Sequence, residues 1–421
     1  MESSRKAQDW LNNLKTEAQF FREGKSPSLE IVEKLLDAFG RPDLFFDWRI
    51  VVGGTAGKGS TCAYIEETLL DNGKKVAVLS SPEIQVVTER IRINGKLIDL
   101  ESFGKVVFQV MMMAEKLKIR PTYYEVITLA GIVAAKESGC EIFVAEVGMG
   151  GRLDAVNALK GKRIAVLTFV GEDHLEFFNY SVEKLAEEKA GIFTKNSVLN
   201  LSFEQKYCSI LEKNAFGKIV YVKGIKEKLN KKIARKACEK ILGCSDFVMT
   251  QRKLPCRWEK FITADGFQVF LEGAHSYPRF EYILPKLKKI HGKKVVIFAM
   301  TKNHDPESFN ILLDFFHEVI FTQVQGKRVF WDKKELSSKL KRGILADTPQ
   351  EALIKAKEIS NKIVVLGSFY LCGAIRENFY PSELIEKNQS EFFGYEFIYQ
   401  RFLKEKGINN LIERNKIDSF F

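Results

Sequence analysis

VVGGTAGKGSTCAYIEETLLDNG, residues 51–73, opens on an apolar run, turns through four glycines with one lysine and three hydroxyl residues, and continues as a patterned helix. Its helical part keeps apolar residues on one side and meets glycine at its end. A strand, a glycine turn and a helix make the layout of a phosphate-binding loop. Backbone N–H groups surround the phosphates, Lys58 neutralises them, and the helix N-terminus adds a favourable dipole. Thr55, Ala56, Gly57, Lys58, Gly59 and Ser60 are therefore the candidate nucleotide-binding residues. The common pattern places Ser or Thr directly after the lysine, whereas Gly59 intervenes here before Ser60 and Thr61. A tight strand–helix turn with no ligand is the competing reading.

Working outward, the same alternation recurs. WRIVVGG, KKVAVLSS, EIFVAEVGMGG, RIAVLTFVGEDH, KKVVIFAM, HEVIFTQV and KIVVLGSFYL are apolar, β-rich runs, each followed by helical sequence. Near-continuous apolar strands alternating with helices imply parallel sheets covered on both faces. A break falls at QRKLPCRWEKF, residues 251–261, and a fresh strand pair follows in FITADGFQVFLEGAH. The expected fold class is α/β: a P-loop-type, mostly parallel sheet domain over residues 1–252, then a smaller Rossmann-like α/β domain over 258–421. The last residues, NNLIERNKIDSFF, read as a helix and tail.

The chain's 421 residues suit two cores rather than one. Hydrophobic residues at 45% and charged residues at 28% suit a soluble globule, and no apolar run is long enough to span a bilayer. The polar start lacks the apolar centre of a secretory signal, so a cytoplasmic location and no membrane partner are expected. The seven cysteines are scattered, without a CxxC pair, which argues against a zinc site or a disulfide framework. The net charge of +11 favours anionic partners. Solvated lysines such as those of GKIVYVKGIKEKLNKKIARK account for much of it, and no arginine–aromatic stripe accompanies them, so nucleic acid is not an expected partner.

Four more segments carry candidate chemistry. EVGMGGRLDAVN (146–157) puts Glu146 at a strand's end, before a turn carrying Arg152 and Asp154. GEDHLEF (171–177) puts Asp173 and His174 after another strand; EEKAGIF (187–193) sets Lys189 among acids on a helix. LEGAHSYPRF (271–280) puts Glu272 and His275 at a strand's end in the second domain. Open α/β sheets bind ligands outside the carboxyl ends of their strands, where these residues fall. Each has a structural alternative: Glu146 capping a turn, His174 bonded to backbone, Lys189 solvated and paired with Glu187 or Glu188, Arg152 paired with Asp154.

Together these segments resemble the Mur ligase superfamily, and within it the folylpolyglutamate synthase/dihydrofolate synthase family. The usual GTNGKGS appears as GTAGKGS; the SSPH loop with ERIRINGE appears as SSPEIQVVTERIRINGK. EVGLGGRLDATN appears as EVGMGGRLDAVN, and DHTxxLG…EKAGI as DHLEFFNYSVEKLAEEKAGI. LPGR becomes LPCR, DGAHNP becomes EGAHSYP, and GSLY becomes GSFY, in family order from about residue 29 to 376.

The resemblance implies an ATP-dependent amide ligase. ATP phosphorylates a carboxylate, the amino group of L-glutamate attacks the acyl phosphate, and ADP and phosphate leave. The acid is dihydropteroate or a folate already carrying glutamate. Phosphorylation is needed because a carboxylate has only an oxide to expel, and Lys58 with magnesium would cancel the charge. Magnesium prefers oxygen ligands. Glu146 suits it, the family pattern adds Ser81, and His174 enters on resemblance alone. Lys189 resembles a family lysine carboxylated by carbon dioxide, which would hold a second magnesium. Lys58, Lys189 and His174 are thus the expected catalytic residues. The resemblance puts Thr122, Tyr123, Tyr124, Glu125, Leu153, Asp154 and Ala155 beside the pterin substrate, with aromatic core packing as the alternative for the tyrosines. Asn230, Arg257, Glu272 and His275 are implied at the nucleotide, Arg257 at a hinge that acts when the domains close. For Asn230 a helix cap, and for Arg257 a surface linker arginine, are the alternatives. ATP and Mg2+ are the expected cofactors, with a monovalent cation left open, and a monomer is the expected state.

Four positions depart from the family. Ala56 replaces an asparagine, Glu83 a histidine, Glu272 an aspartate, and Ser276–Tyr277 the asparagine before proline. A Mur-type ligase of a non-folate acid, and a nucleotide-binding homologue without catalysis, remain alternatives.

Overall fold

The computed structural model describes residues 2–16, 19, 28–171, 181–224, 226–263, 266–326 and 328–391. The expected C-terminal helix and tail lie outside them. The chain divides into two compact units, one of residues 1–83 and 87–253, the other of 84–86 and 254–421. Residues 84–86 group with the second unit because the Gln85 amide is held there. Arg376 Nη1 donates to its Oε1 at 2.6 Å, and its Nε2 donates to Glu377 at 2.7 Å.

The first unit is built on eight strands: β1 (Trp48–Gly53), β2 (Val76–Leu79), β3 (Ile91–Ile93), β4 (Lys96–Leu97), β5 (Ile142–Glu146), β6 (Arg163–Leu167), β7 (Ser197–Phe203) and β8 (Ile219–Val222). They lie in the order β4-β3-β2-β5-β1-β6-β7-β8, parallel except at β3 and β4. Alternate residues serve opposite cores, as a pleated strand requires. Val51, Ala77, Leu79, Phe143, Ala145, Ala165 and Leu167 pack with the helices Glu30–Ala38, Leu100–Leu117 and Tyr123–Glu137. Ile50, Val52, Val76, Val78, Ile142, Val144, Ile164 and Val166 pack with Lys58–Asp71 and Lys226–Leu242. Burial on both faces is why these strands read as unbroken apolar runs.

The second unit carries β9 (Arg257–Ile262), β10 (Gln268–Glu272), β11 (Val295–Phe298), β12 (Glu318–Phe321), β13 (Ile344–Leu345) and β14 (Lys362–Leu366), in the order β13-β12-β11-β14-β10-β9. Only β9 is antiparallel to its neighbour. Its two faces are likewise split between Val269, Leu271, Ile297 and Val365 on one side and Phe270, Val296, Phe298 and Val364 on the other. The expected α/β class holds for both sheets.

The sheet order positions the site. From β1 the chain crosses over β5 to reach β2, and from β5 it crosses over β1 to reach β6. Connections leaving in opposite directions open a crevice at the carboxyl ends of β1 and β5, the place where such sheets bind ligands. In register, Val52 lies beside Glu146 and Gly53 beside Leu167.

Candidate active site

The glycine turn leaves β1 at Gly54 and enters the helix Lys58–Asp71 through Gly57, which acts as the N-cap. Gly57 has φ +95°, and no side chain caps the helix. Its first amides therefore face outward without a side-chain acceptor, as an anion site requires. A Cβ on Gly57 would stand 2.5 Å from Asn230 Oδ1, so the Asn230 amide lies against the turn. Asn230 sits within the helix Lys226–Leu242, not at its start, so the helix-cap alternative does not hold. Lys58 Nζ donates to the Gly54 carbonyl at 2.8 Å, folded back over the loop it closes. Gly59 and Ser60 lie half-buried in the first helical turn, and the fully buried Thr61 hydroxyl has no partner among the described residues.

Thr55 and Ala56 brace the loop. The Thr55 N–H donates to Phe169 O at 2.7 Å, its hydroxyl donates to Gly171 O at 3.0 Å, and Ala56 bridges Phe169. Thr55 was expected at the nucleotide, yet both its donors serve the segment following β6. The missing asparagine side chain at Ala56 leaves this backbone frame intact.

Glu146 ends β5 with its side chain buried at 4% exposure. Its Oε2 accepts the Ser81 N–H at 3.2 Å, which brings the two expected metal ligands together. Among the described residues no group of three or more His, Cys, Asp and Glu is placed to hold a metal. His174 lies outside the described residues. Lys189 is buried at 3% exposure, which overturns the solvated alternative. Its neighbour Glu188 accepts the Leu153 N–H at 3.0 Å and pairs with Arg152 Nε at 3.8 Å.

Arg152 does not pair with Asp154. The Asp154 carboxylate accepts the N–H groups of Gly148 at 2.9 Å, Met149 at 3.0 Å and Val156 at 3.1 Å, and so shapes the turn after β5. Leu153 stands 37% exposed at its tip, and Ala155 is buried. Thr122 and Glu125, expected at the substrate, form a capping box on the helix Tyr123–Glu137: the Thr122 hydroxyl accepts the Glu125 N–H, and Glu125 accepts the Thr122 N–H at 2.6 Å. The Tyr124 hydroxyl donates to Glu146 O at 2.6 Å and its ring fills the space beside Gly148, so it packs as core. Tyr123 is buried too, and the Arg90 guanidinium lies 5.3 Å from its ring centroid.

Arg90 also pairs with Glu83, one of the four departures. Behind it, fully buried Arg92 donates from Nε to both carboxylate oxygens of Glu66, at 2.9 and 3.0 Å, and reaches Ser80 at 3.3 Å. This ties the cradle helix to the loop bearing Ser81. ERIRING marks Arg90 and Arg92 by position, but nothing in its spacing names their partners.

In the second unit, the Arg257 guanidinium lies 4.1 Å from the Phe369 ring centroid, which does not suit a free surface arginine. Arg279 lies at 6.0 Å from the same ring, and His275 meets it edge-on at 5.7 Å. His275 Nδ1 contacts Gly273 O at 2.6 Å, and its ring packs on His304 at 4.6 Å. Glu272 is buried beside Arg257, Lys286 and Arg279; burial raises its pKa against the pull of these cations. Burial likewise lowers that of Lys286. The structure thus brings together Arg257, Glu272 and His275, and adds Arg279 and Phe369, which lie inside the quoted LEGAHSYPRF and GSFY segments without having been named as site residues, and His304, which no motif marks.

The Mur ligase middle domain, as a family, matches residues 52–253. That match covers 202 of the chain's 421 residues, a little under half. The dihydrofolate synthase/folylpolyglutamate synthase of Buchnera aphidicola is 35% identical to this chain over 171 residues, 40% of the chain and 39% of the relative. That of Haemophilus influenzae is 40% identical over 148 residues, 35% of the chain and 33% of the relative. The aligned stretch therefore spans about two-fifths or less of each relative. Escherichia coli FolC in complex with ADP shares the fold at a TM-score of 0.75 and 22% identity, over 89% of this chain and 97% of that one. A bifunctional folylpolyglutamate synthase/dihydrofolate synthase with Mn, AMPPNP and L-glutamate bound shares it at 0.73 and 22%, over 84% and 95%.

Proposed function

We propose that this chain is an ATP-dependent ligase that adds L-glutamate to dihydropteroate or to a folate. The observation that carries the reading is the convergence, at the carboxyl ends of the central strands β1 and β5, of an uncapped glycine turn, Lys58, and a buried carboxylate, Glu146, held to the Ser81 amide. The names of the relatives, and the nucleotide, manganese and glutamate held by the structural neighbour, support it.

The donor sets fit the ligands. The turn offers backbone N–H groups and one lysine to a triphosphate, and any side chain at Gly57 would meet Asn230. Glu146 and Ser81 offer oxygens to magnesium, with Lys189 carboxylated and His174 as further expected ligands. Bound ATP would supply the phosphoryl group that turns the acid into an acyl donor. This chain's part is to hold the phosphates at Lys58 and the glycine turn, and to keep the acid beside Glu146. Asp154 rigidifies the turn that borders it. The guanidiniums of Arg257 and Arg279 carry the charge to bind phosphate oxygens, and the imidazoles of His275 and His304 beside them offer ring nitrogens. Among the described residues no helix is long and apolar enough to cross a membrane.

The test is a product assay by mass spectrometry with ATP, L-glutamate and either dihydropteroate or a monoglutamyl folate. One added glutamyl residue and stoichiometric ADP are expected. Lys58→Ala should lower turnover by about a thousandfold, the size of losing one charge stabiliser, and leave the thermal transition nearly unchanged. ATP binding without ADP formation from either acid would refute the ligase reading.

A further inference from the structure

Glu83 brings a carboxylate into the loop that bears Ser81, two residues away, where the related family has histidine. Its partner is Arg90, whose Nε and Nη2 both engage Glu83 Oε2. The Arg90 side chain is only 6% exposed and that of Glu83 26%. The backbone fixes Arg90 at the same place, since the Ser80 N–H donates to Arg90 O at 2.9 Å. The ring of Tyr123 lies against the guanidinium at 5.3 Å. Arg90 is thus held between an aromatic face and a carboxylate, next to the loop that meets Glu146.

We infer that Glu83 sets the class of acid accepted: an aryl acid whose reacting carboxylate is its only one, in preference to a glutamyl chain carrying further carboxylates. This rests on the ligase reading above. A glutamyl chain brings an α-carboxylate close to the carboxylate that reacts. Such a substrate needs a cation near Ser81 to balance the second charge. Arg90 is that cation by position, but its guanidinium is engaged by Glu83. A dicarboxylate therefore meets an arginine already neutralised, and Glu83 repels it besides. An acid with one carboxylate, bound for activation at Glu146, needs no second cation and loses nothing. Without the Glu83 charge, the positive charge of Arg90 would no longer be cancelled by this carboxylate and would favour an incoming one.

The experiment compares kcat/KM for dihydropteroate with that for a monoglutamyl folate, in the unaltered protein, Glu83→Gln and Glu83→Gln/Arg90→Gln. Equilibrium binding of both acids is measured alongside with a non-hydrolysable ATP analogue. The unaltered protein should favour dihydropteroate. Glu83→Gln should shift the ratio toward the folate by at least about tenfold, the effect of one charge-assisted hydrogen bond, and the double variant should lose that shift. Glu83→His, the family's residue, should shift the ratio the same way and serves if the glutamine variant folds poorly. Unaltered protein that turns over both acids, with a ratio that none of the variants moves, overturns the inference and leaves the ligase reading standing. Unaltered protein that ligates neither acid defeats the ligase reading itself, and the inference with it.

Discussion

Replacing Gly57 by alanine separates the geometry of the cradle from its charge. Gly57 adopts φ +95°, and a Cβ there would meet Asn230 Oδ1 at 2.5 Å, Nδ2 at 3.1 Å and Cγ at 3.2 Å. Two costs follow. Holding alanine in left-handed backbone costs about 1 kcal/mol. Pushing the Asn230 amide out of its rotamer costs about 1 kcal/mol more. The single variant should thus lose about 2 kcal/mol, read as a lower urea midpoint for the first unit. In Gly57→Ala/Asn230→Ala the three atoms that the new methyl meets are gone. Relative to Asn230→Ala alone, the alanine should then cost only the backbone share, about 1 kcal/mol. Calorimetric titration with an ATP analogue should show binding weakened at least about tenfold in the single variant, because the amides that surround the phosphates are displaced. Binding as tight as in the unaltered protein would refute the cradle. An alanine cost undiminished in the Asn230→Ala background would refute the contact.

Asp154→Asn leaves one amide oxygen where a charged carboxylate accepts three backbone N–H groups, so it should lower stability by about 2 kcal/mol, seen as an earlier thermal transition. Burial raises the Glu272 pKa above its ordinary value. The folded protein then holds a proton that the unfolded chain releases, so this contribution is complete below pH 4.5 and is lost as pH rises. The stability of the unaltered protein relative to Glu272→Gln should accordingly fall as pH rises above 4.5; a relative stability that rises with pH would contradict it. With iodoacetamide at pH 8, exposed Cys244 should be alkylated first. Cys140 and Cys238, whose thiols burial pushes up to about 11 and about 12, and fully buried Cys62 and Cys256 should be modified only on unfolding.

The strands, the glycine turn and the two-sheet α/β class were legible in the sequence because each is a local signal. A strand buried on both faces must be apolar throughout, and a turn at φ +95° favours glycine whatever surrounds it. Partners were not legible, because pairing depends on which segments the sheet order places side by side. Sequence alone left Asn230 as a helix cap or a nucleotide residue, and only the packing of its helix sets it against Gly57. Arg152 and Asp154 look paired along the chain, yet the crossover from β6 supplies Glu188 to one and the turn's own amides satisfy the other. Thr122 and Glu125 carry the spacing of a capping box, and they form one. The charge at Glu83 is visible in the sequence; that Arg90 cancels it is decided by the hairpin of β2 and β3, which returns the chain to the loop it left. Residue type fixes which chemistry a group can do, whereas distance fixes whether it does it, and distances between segments far apart in sequence exist only once the chain has packed.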